Sequence, residues 1–196
     1  QLRDEGMQPA AIGSLLARIG TADPVVPQPA LGDIVDGFDL SRFGRATAKF
    51  DPAELAQINA RVIQQLDFAA VETDLVAAGV GGGAPFWRAV RDNLGTVAEA
   101  ADWWSVCTAP VTPVIEAEAQ AVTNAAADLL PEGDLPADIW GDWTRAVAAQ
   151  TGVKGRGLFM PLRLALTGRQ KGPEIAPLLS FMGRARVIER LRGNTA

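Results

Sequence analysis

Residues 151–175 read TGVKGRGLFMPLRLALTGRQKGPEI and gather glycines, cations and a short apolar run into one stretch. Gly152, Gly155 and Gly157 bracket Lys154 and Arg156, so a basic lead-in has the backbone freedom that glycine confers. A helix is expected over 158–167, with Pro161 accommodated in its first turn. Arg163 is the one cation on that helix. Gly168, Arg169, Lys171, Gly172 and Pro173 then make a second basic turn. Two cationic turns around a rigid helix suit the holding of a polyanion. The pattern also fits a plain core, with Leu158, Phe159, Leu162, Leu164 and Leu166 buried and Arg163 laid along the surface with its head in water.

Other chemistry is excluded by composition. The 196 residues contain no histidine, which rules out a Ser-His-Asp triad, a Cys-His pair and any His-ligated metal. Cys107 is the only cysteine, so neither an internal disulfide nor a cysteine zinc site is available. Gly81, Gly82 and Gly83 read as a flexible joint, because no Gly-Lys-Ser/Thr follows them. No apolar run reaches the length of a bilayer span. The first residues lack the basic-then-apolar order of a signal peptide. Gln1 reads as an interior position, and the chain is expected to be part of a longer protein.

Charge is unevenly distributed. The net charge is −5, yet from Lys154 onward nine Lys and Arg face only Glu174 and Glu189. That segment carries +7 and the rest −12. One basic segment on an acidic chain is the footprint of a nucleic-acid face, or of a solvated basic tail.

The elements that would position these residues are helical. Ile12, Leu15, Leu16 and Ile19 follow helical spacing, and the proline-rich ADPVVPQPAL after them cannot be a helix interior. A short helical turn at 31–35 leads to FDLSRFGRATAKFD, which holds Arg42, Arg45 and Lys49. Asp51, Pro52 and Glu54 form a helix start, with Leu55, Ile58, Val62 and Leu66 as its buried stripe. Asp67 opens another helix, and Phe86, Trp87, Val90 and Leu94 outline the next. Thr96 and Glu99 read as a second capping box, before a helix through Trp103 and Trp104. That tryptophan pair fits either base stacking or core. Thr112-Pro113 is read as opening a helix to about residue 130, and another is expected over 138–150. The last helix would bury Val187, Ile188 and Leu191 and turn Arg184, Arg186, Arg190 and Arg192 to its other face. No alternating strand pattern emerges, so the expected class is all-α, a multi-helix elongated bundle or cage with no substantial sheet.

The string VKGRGLFMPLRLALTGRQKGPEI resembles the C-terminal anticodon-binding region of bacterial glutamyl-tRNA synthetases, which carry a Lys-Gly…Pro-Leu-Arg-x-Ala-Leu-Thr-Gly…Pro passage near their end. The Phe-Asp-Leu at 38–40 and Phe-Asp-Pro at 50–52 are similar to a passage in their tRNA-stem-contacting unit. The likeness runs over essentially the whole chain and is strongest at 38–66 and 151–192. It implies three parts: the end of the stem-contact unit over 1–66, and two anticodon-binding subdomains over 67–110 and 111–196. Arg163 matches an arginine that reads anticodon bases. Gly172, Pro173 and Ile175 match the turn that contacts the loop, with Lys154, Arg156, Arg169 and Lys171 around it. Arg42, Arg45 and Lys49 would contact the stem backbone, or stand as solvated loop cations.

In that family an arginine before the helix containing Trp103 reads one anticodon base and helps to reject the glutamine tRNA. The ungapped position here is Asn93, so either Arg91 or Arg88 takes the role or both tRNAs are accepted. The resemblance further implies a cytoplasmic monomer bound to glutamate tRNA, with no role for DNA or a membrane. It implies no cofactor on these residues and no catalysis by them alone, because ATP and Mg²⁺ would serve a catalytic domain outside them. The competing reading is an all-helical protein-interaction adaptor without RNA.

Overall fold

The computed structural model describes residues 1–45 and 47–196. Among these residues every regular element is helical, as the sequence led one to expect. The chain divides into two compact units, Gln1–Ala101 and Asp102–Ala196.

The first unit contains α1 (Pro9–Leu16), α2 (Leu31–Asp36), α3 (Pro52–Ile63), α4 (Phe68–Ala77) and α5 (Gly83–Val90), with 3₁₀ turns at Leu40–Arg42, Arg91–Asn93 and Val97–Glu99. α3 starts as its sequence dictates: the Asp51 carboxylate accepts from the Ala53 N–H at 2.9 Å and Pro52 occupies the first position. Leu55, Ile58 and Val62 of α3 pack on Ala11 and Leu15 of α1. Leu16, one of the apolar residues at helical spacing, is 57% exposed, because α1 turns Ala11, Ser14 and Leu15 inward. Asn59 is fully buried in this contact. Its Oδ1 accepts from the Gln8 N–H at 2.7 Å, and its Nδ2 donates to the Gly95 carbonyl at 2.7 Å and the Gly6 carbonyl at 3.3 Å. A buried amide satisfied in this way fixes three loops to one helix.

The capping box expected at Thr96 is not reciprocal. Glu99 accepts from the Gly95 N–H at 2.9 Å, and Thr96 turns its hydroxyl to the same carboxylate. A 3₁₀ turn therefore precedes α6 (Ala100–Thr108).

The second unit contains α7 (Gln120–Asp128), α8 (Ile139–Thr151), α9 (Arg156–Thr167), α10 (Leu179–Met182) and α11 (Arg184–Leu191). α7 packs against α8, α9 and α11, and buried Trp143 donates its indole N–H to the Ala126 carbonyl at 2.9 Å. The helix expected to open at Thr112-Pro113 does not form there. The chain stays irregular to Glu116, where a 3₁₀ turn leads into α7. Pro110 and Pro113 disfavour helical geometry in the residues before them. The N–H groups of Val111 and Val114 instead find the carbonyls of Ala196 and Leu164. α9 also begins two residues earlier than expected, so Pro161 lies inside the helix and the Gly157 carbonyl loses its i+4 donor.

The arginines of α11 are not a free basic face. Arg190 is fully buried and donates to the carbonyls of Val106, Leu166, Ala109 and Ala196 at 2.7–2.8 Å. Arg186 donates to the carbonyls of Cys107, Thr108 and Met182. Arg184 reaches the Pro131 carbonyl and Glu132, and Arg192 reaches Asp128. Nearly half of the cations in the basic segment therefore hold the second unit together.

Candidate nucleic-acid interface

α9 leaves Leu158, Leu162, Ala165 and Leu166 in the core, which places Phe159 and Arg163, four residues apart, together on another face. Phe159 is 45% exposed. Arg163 is half-buried, and its Nη2 donates to the Pro173 carbonyl at 2.7 Å. Its Nη1 is buried without a hydrogen-bond partner. Burial lowers the pKa of this guanidinium, but an arginine remains a cation at neutral pH. Trp140, Phe159, Arg163, Glu174, Ile175 and Ala176 line a cleft of about 430 Å³.

The turn after α9 is built to bring Pro173 back to Arg163. The Thr167 hydroxyl donates to the Arg163 carbonyl at 2.7 Å and accepts from the Arg169 N–H at 3.1 Å. Arg169 lies over the Trp103 ring, 4.8 Å from its centroid, a cation–π geometry. Gly172 has φ +140° and is packed on the same indole. Trp103 is thus buried and supports the turn, while Trp104 is partly exposed beside Phe181.

Arg163, Pro173 and Ile175 are therefore brought to one place, with Gly172 and Arg169 joined to it through Trp103. Lys154, Arg156 and Lys171 are exposed and make no ion pair among the described residues. Arg156 lines a separate cleft of about 480 Å³ beside Val114 and Pro161, which contains none of the other expected residues. Phe159 and Trp140 were not singled out as site residues. The signal lay in the spacing, since Phe159 is off the buried stripe and one turn from Arg163.

In the first unit, Arg91 points inward. Its Nη1 donates to the Leu66 carbonyl at 3.1 Å, an acceptor shared with the Trp87 indole, and its Nε lies 3.6 Å from Asp92. Asn93 and Arg88 are exposed. Arg42 is held by Asp23 at 2.7 Å, and that hydrogen bond raises its pKa. Asp39, whose pKa is lowered by the Ser41 hydroxyl, lies 3.6 Å from the same arginine. Arg45 and Lys49 are exposed with no ion pair among the described residues.

Over 197 residues the chain is 50% identical to glutamate–tRNA ligase 2 of Methylorubrum populi, an alignment that takes in all of this chain and 43% of that protein. It is 47% identical to glutamate–tRNA ligase 1 of Ruegeria pomeroyi, over 92% of this chain and 41% of that one. The chain thus spans less than half the length of these relatives. The crystal structure of the glutamate-tRNA synthetase from Elizabethkingia anophelis superposes with a TM-score of 0.74 at 21% identity, covering 96% of this chain and 41% of that one. No helix among the described residues is long and apolar enough to cross a membrane. The family model of the anticodon binding domain matches residues 86–194, a span holding α9, the Pro173 turn and Asn93, and the chain belongs to that family.

Proposed function

We propose that this chain is the tRNA-binding portion of a cytoplasmic glutamate–tRNA ligase, with the second unit gripping the anticodon loop. The observation that carries this reading is the cleft in which Arg163, with a buried unpartnered Nη1, meets Ile175 beside the Pro173 turn. Unstacked loop bases are read on their edges and faces by such mixtures of guanidinium, backbone and apolar groups. Lys154, Arg156 and Lys171 supply phosphate contacts around the cleft. Arg45 and Lys49, with Arg42 once released from Asp23, serve the stem. The partner is the glutamate tRNA, with the glutamine tRNA a second substrate, and the protein acts as a monomer.

Joining glutamate to tRNA requires ATP and Mg²⁺. We assign none of that chemistry to these residues. It belongs to the remainder of the ligase.

The test is a titration of the chain with glutamate tRNA at several salt concentrations. Binding should weaken as salt rises, with a log–log slope of about −0.7 for each single-strand phosphate neutralised. Absence of binding at low salt would favour a protein-interaction adaptor instead.

A further inference from the structure

We propose that Phe159, backed by Trp140, is a stacking platform for one unstacked base of the RNA loop; this rests on the anticodon-loop reading above. The rings form a ladder from core to surface. Trp143 is 2% exposed and anchored by its indole bond to Ala126. Trp140 meets Trp143 edge-on, with centroids 5.5 Å apart. Phe159 then stacks on Trp140 at 6.2 Å and 29° between ring planes. Burial at the inner end holds the outer ring without loop ordering, and the outer ring remains 45% exposed.

Two clefts meet at Phe159. One contains Arg163, Glu174 and Ile175. The other, of about 400 Å³, contains Arg145 and Lys154. Arg145 is paired with Asp142, while Lys154 has no ion pair among the described residues. An aromatic face flanked by a cation on each side fits a nucleotide better than an apolar peptide. The ring takes the base, and Lys154 takes a backbone phosphate. The partly exposed Arg163 guanidinium donates to the base edge, and Glu174 offers an acceptor to an exocyclic amine. Every base has a π face, so the platform orders the loop, while selection among bases falls to the polar groups.

The experiment uses this chain and a hairpin RNA with the anticodon stem and loop of the glutamate tRNA, each loop uridine replaced in turn by photoreactive 5-iodouridine. Irradiation should cross-link one position to Phe159 or Trp140. Phe159→Leu, which keeps apolar volume but loses the π face, should retain the melting temperature and weaken hairpin binding about tenfold, the scale of one lost base–aromatic stack. Phe159→Trp should bind at least as tightly as the parent chain. Unchanged affinity in Phe159→Leu with no cross-link to either ring would overturn the platform, while a loss of binding in Arg163→Gln would leave the RNA reading standing. If the unmodified chain does not bind the hairpin at low salt, both readings fall. Should Phe159→Leu unfold, the cross-link and the Phe159→Trp affinity decide.

Discussion

The six-membered ring of Trp103 fills the space that a Cβ on Gly172 would occupy. With φ +140° as well, this position excludes every other residue on two independent grounds. Gly172→Ala should therefore destabilise the second unit by about 1–3 kcal/mol, through overpacking and backbone strain. Trimming the ring in Trp103→Leu should remove the steric part. The double mutant should then be less unstable than the sum of the single changes, by about 0.5–3 kcal/mol of coupling. Urea unfolding of the four proteins measures this, and strict additivity would mean that the ring does not support the turn.

Arg190 joins residues that are far apart in the chain through one guanidinium. Its bonds to the carbonyls of Val106 and Ala109 fix the end of α6, and its bond to Leu166 fixes the end of α9. Arg190→Ala should cost about 3–5 kcal/mol, because a cavity and several buried carbonyls without donors are left together. Arg190→Lys should recover only a fraction, since an ammonium cannot span the same fork of acceptors. The exposed Lys171→Ala should leave unfolding unchanged and alter RNA affinity alone. Equal stability of the Arg190 variants and the parent would contradict the buried role.

Helix starts written in neighbouring residues were legible. Asp51-Pro52 caps α3 because its chemistry closes within a few positions. Thr112-Pro113 has the same appearance but does not start a helix, because distant carbonyls at Leu164 and Ala196 take the local N–H groups. Arg190 looked like one of four surface cations, and only its distant acceptors reveal it as core. The site shows the same division. Arg163 was visible through its motif, but its bond to Pro173 was not. Phe159 was grouped with the leucines as apolar, although helical spacing already separated it from Leu158 and Leu162.

Cys107 gives a pH-dependent stability. Burial raises its thiol pKa from an ordinary value near 9 to about 12. Between these values the unfolded chain releases a proton that the folded chain retains, so stability falls as pH rises. From about pH 8 to about pH 10 the loss should be about 1.4 kcal/mol relative to Cys107→Ala, which has no thiol to titrate. Arg190, whose pKa burial lowers to about 10, gives an opposite slope from about pH 9 upward, but it does so in both proteins and largely cancels in the comparison. Denaturant titrations of both proteins across the window provide the check, and parallel curves would mean that the thiol is solvated.

On the proposed function, Asn93 would bear on which tRNAs the complete ligase charges. An arginine there could place a bidentate pair of hydrogen bonds on a base edge, whereas asparagine is shorter and neutral. Arg91 is poorly placed to compensate, because Nη1 is bound to the Leu66 carbonyl and Nε lies beside Asp92. Arg88 is exposed in the neighbouring turn of α5 and makes no ion pair among the described residues. The expected outcome is that the full-length protein attaches glutamate to both the glutamate and the glutamine tRNA, with comparable kcat/KM. Asn93→Arg should restore preference for the glutamate tRNA. A preference in the natural protein beyond about a hundredfold, or about 2.7 kcal/mol, would mean that another residue reads the distinguishing base. Arg88→Ala would then abolish that preference if Arg88 is the reader and leave it intact if it is not.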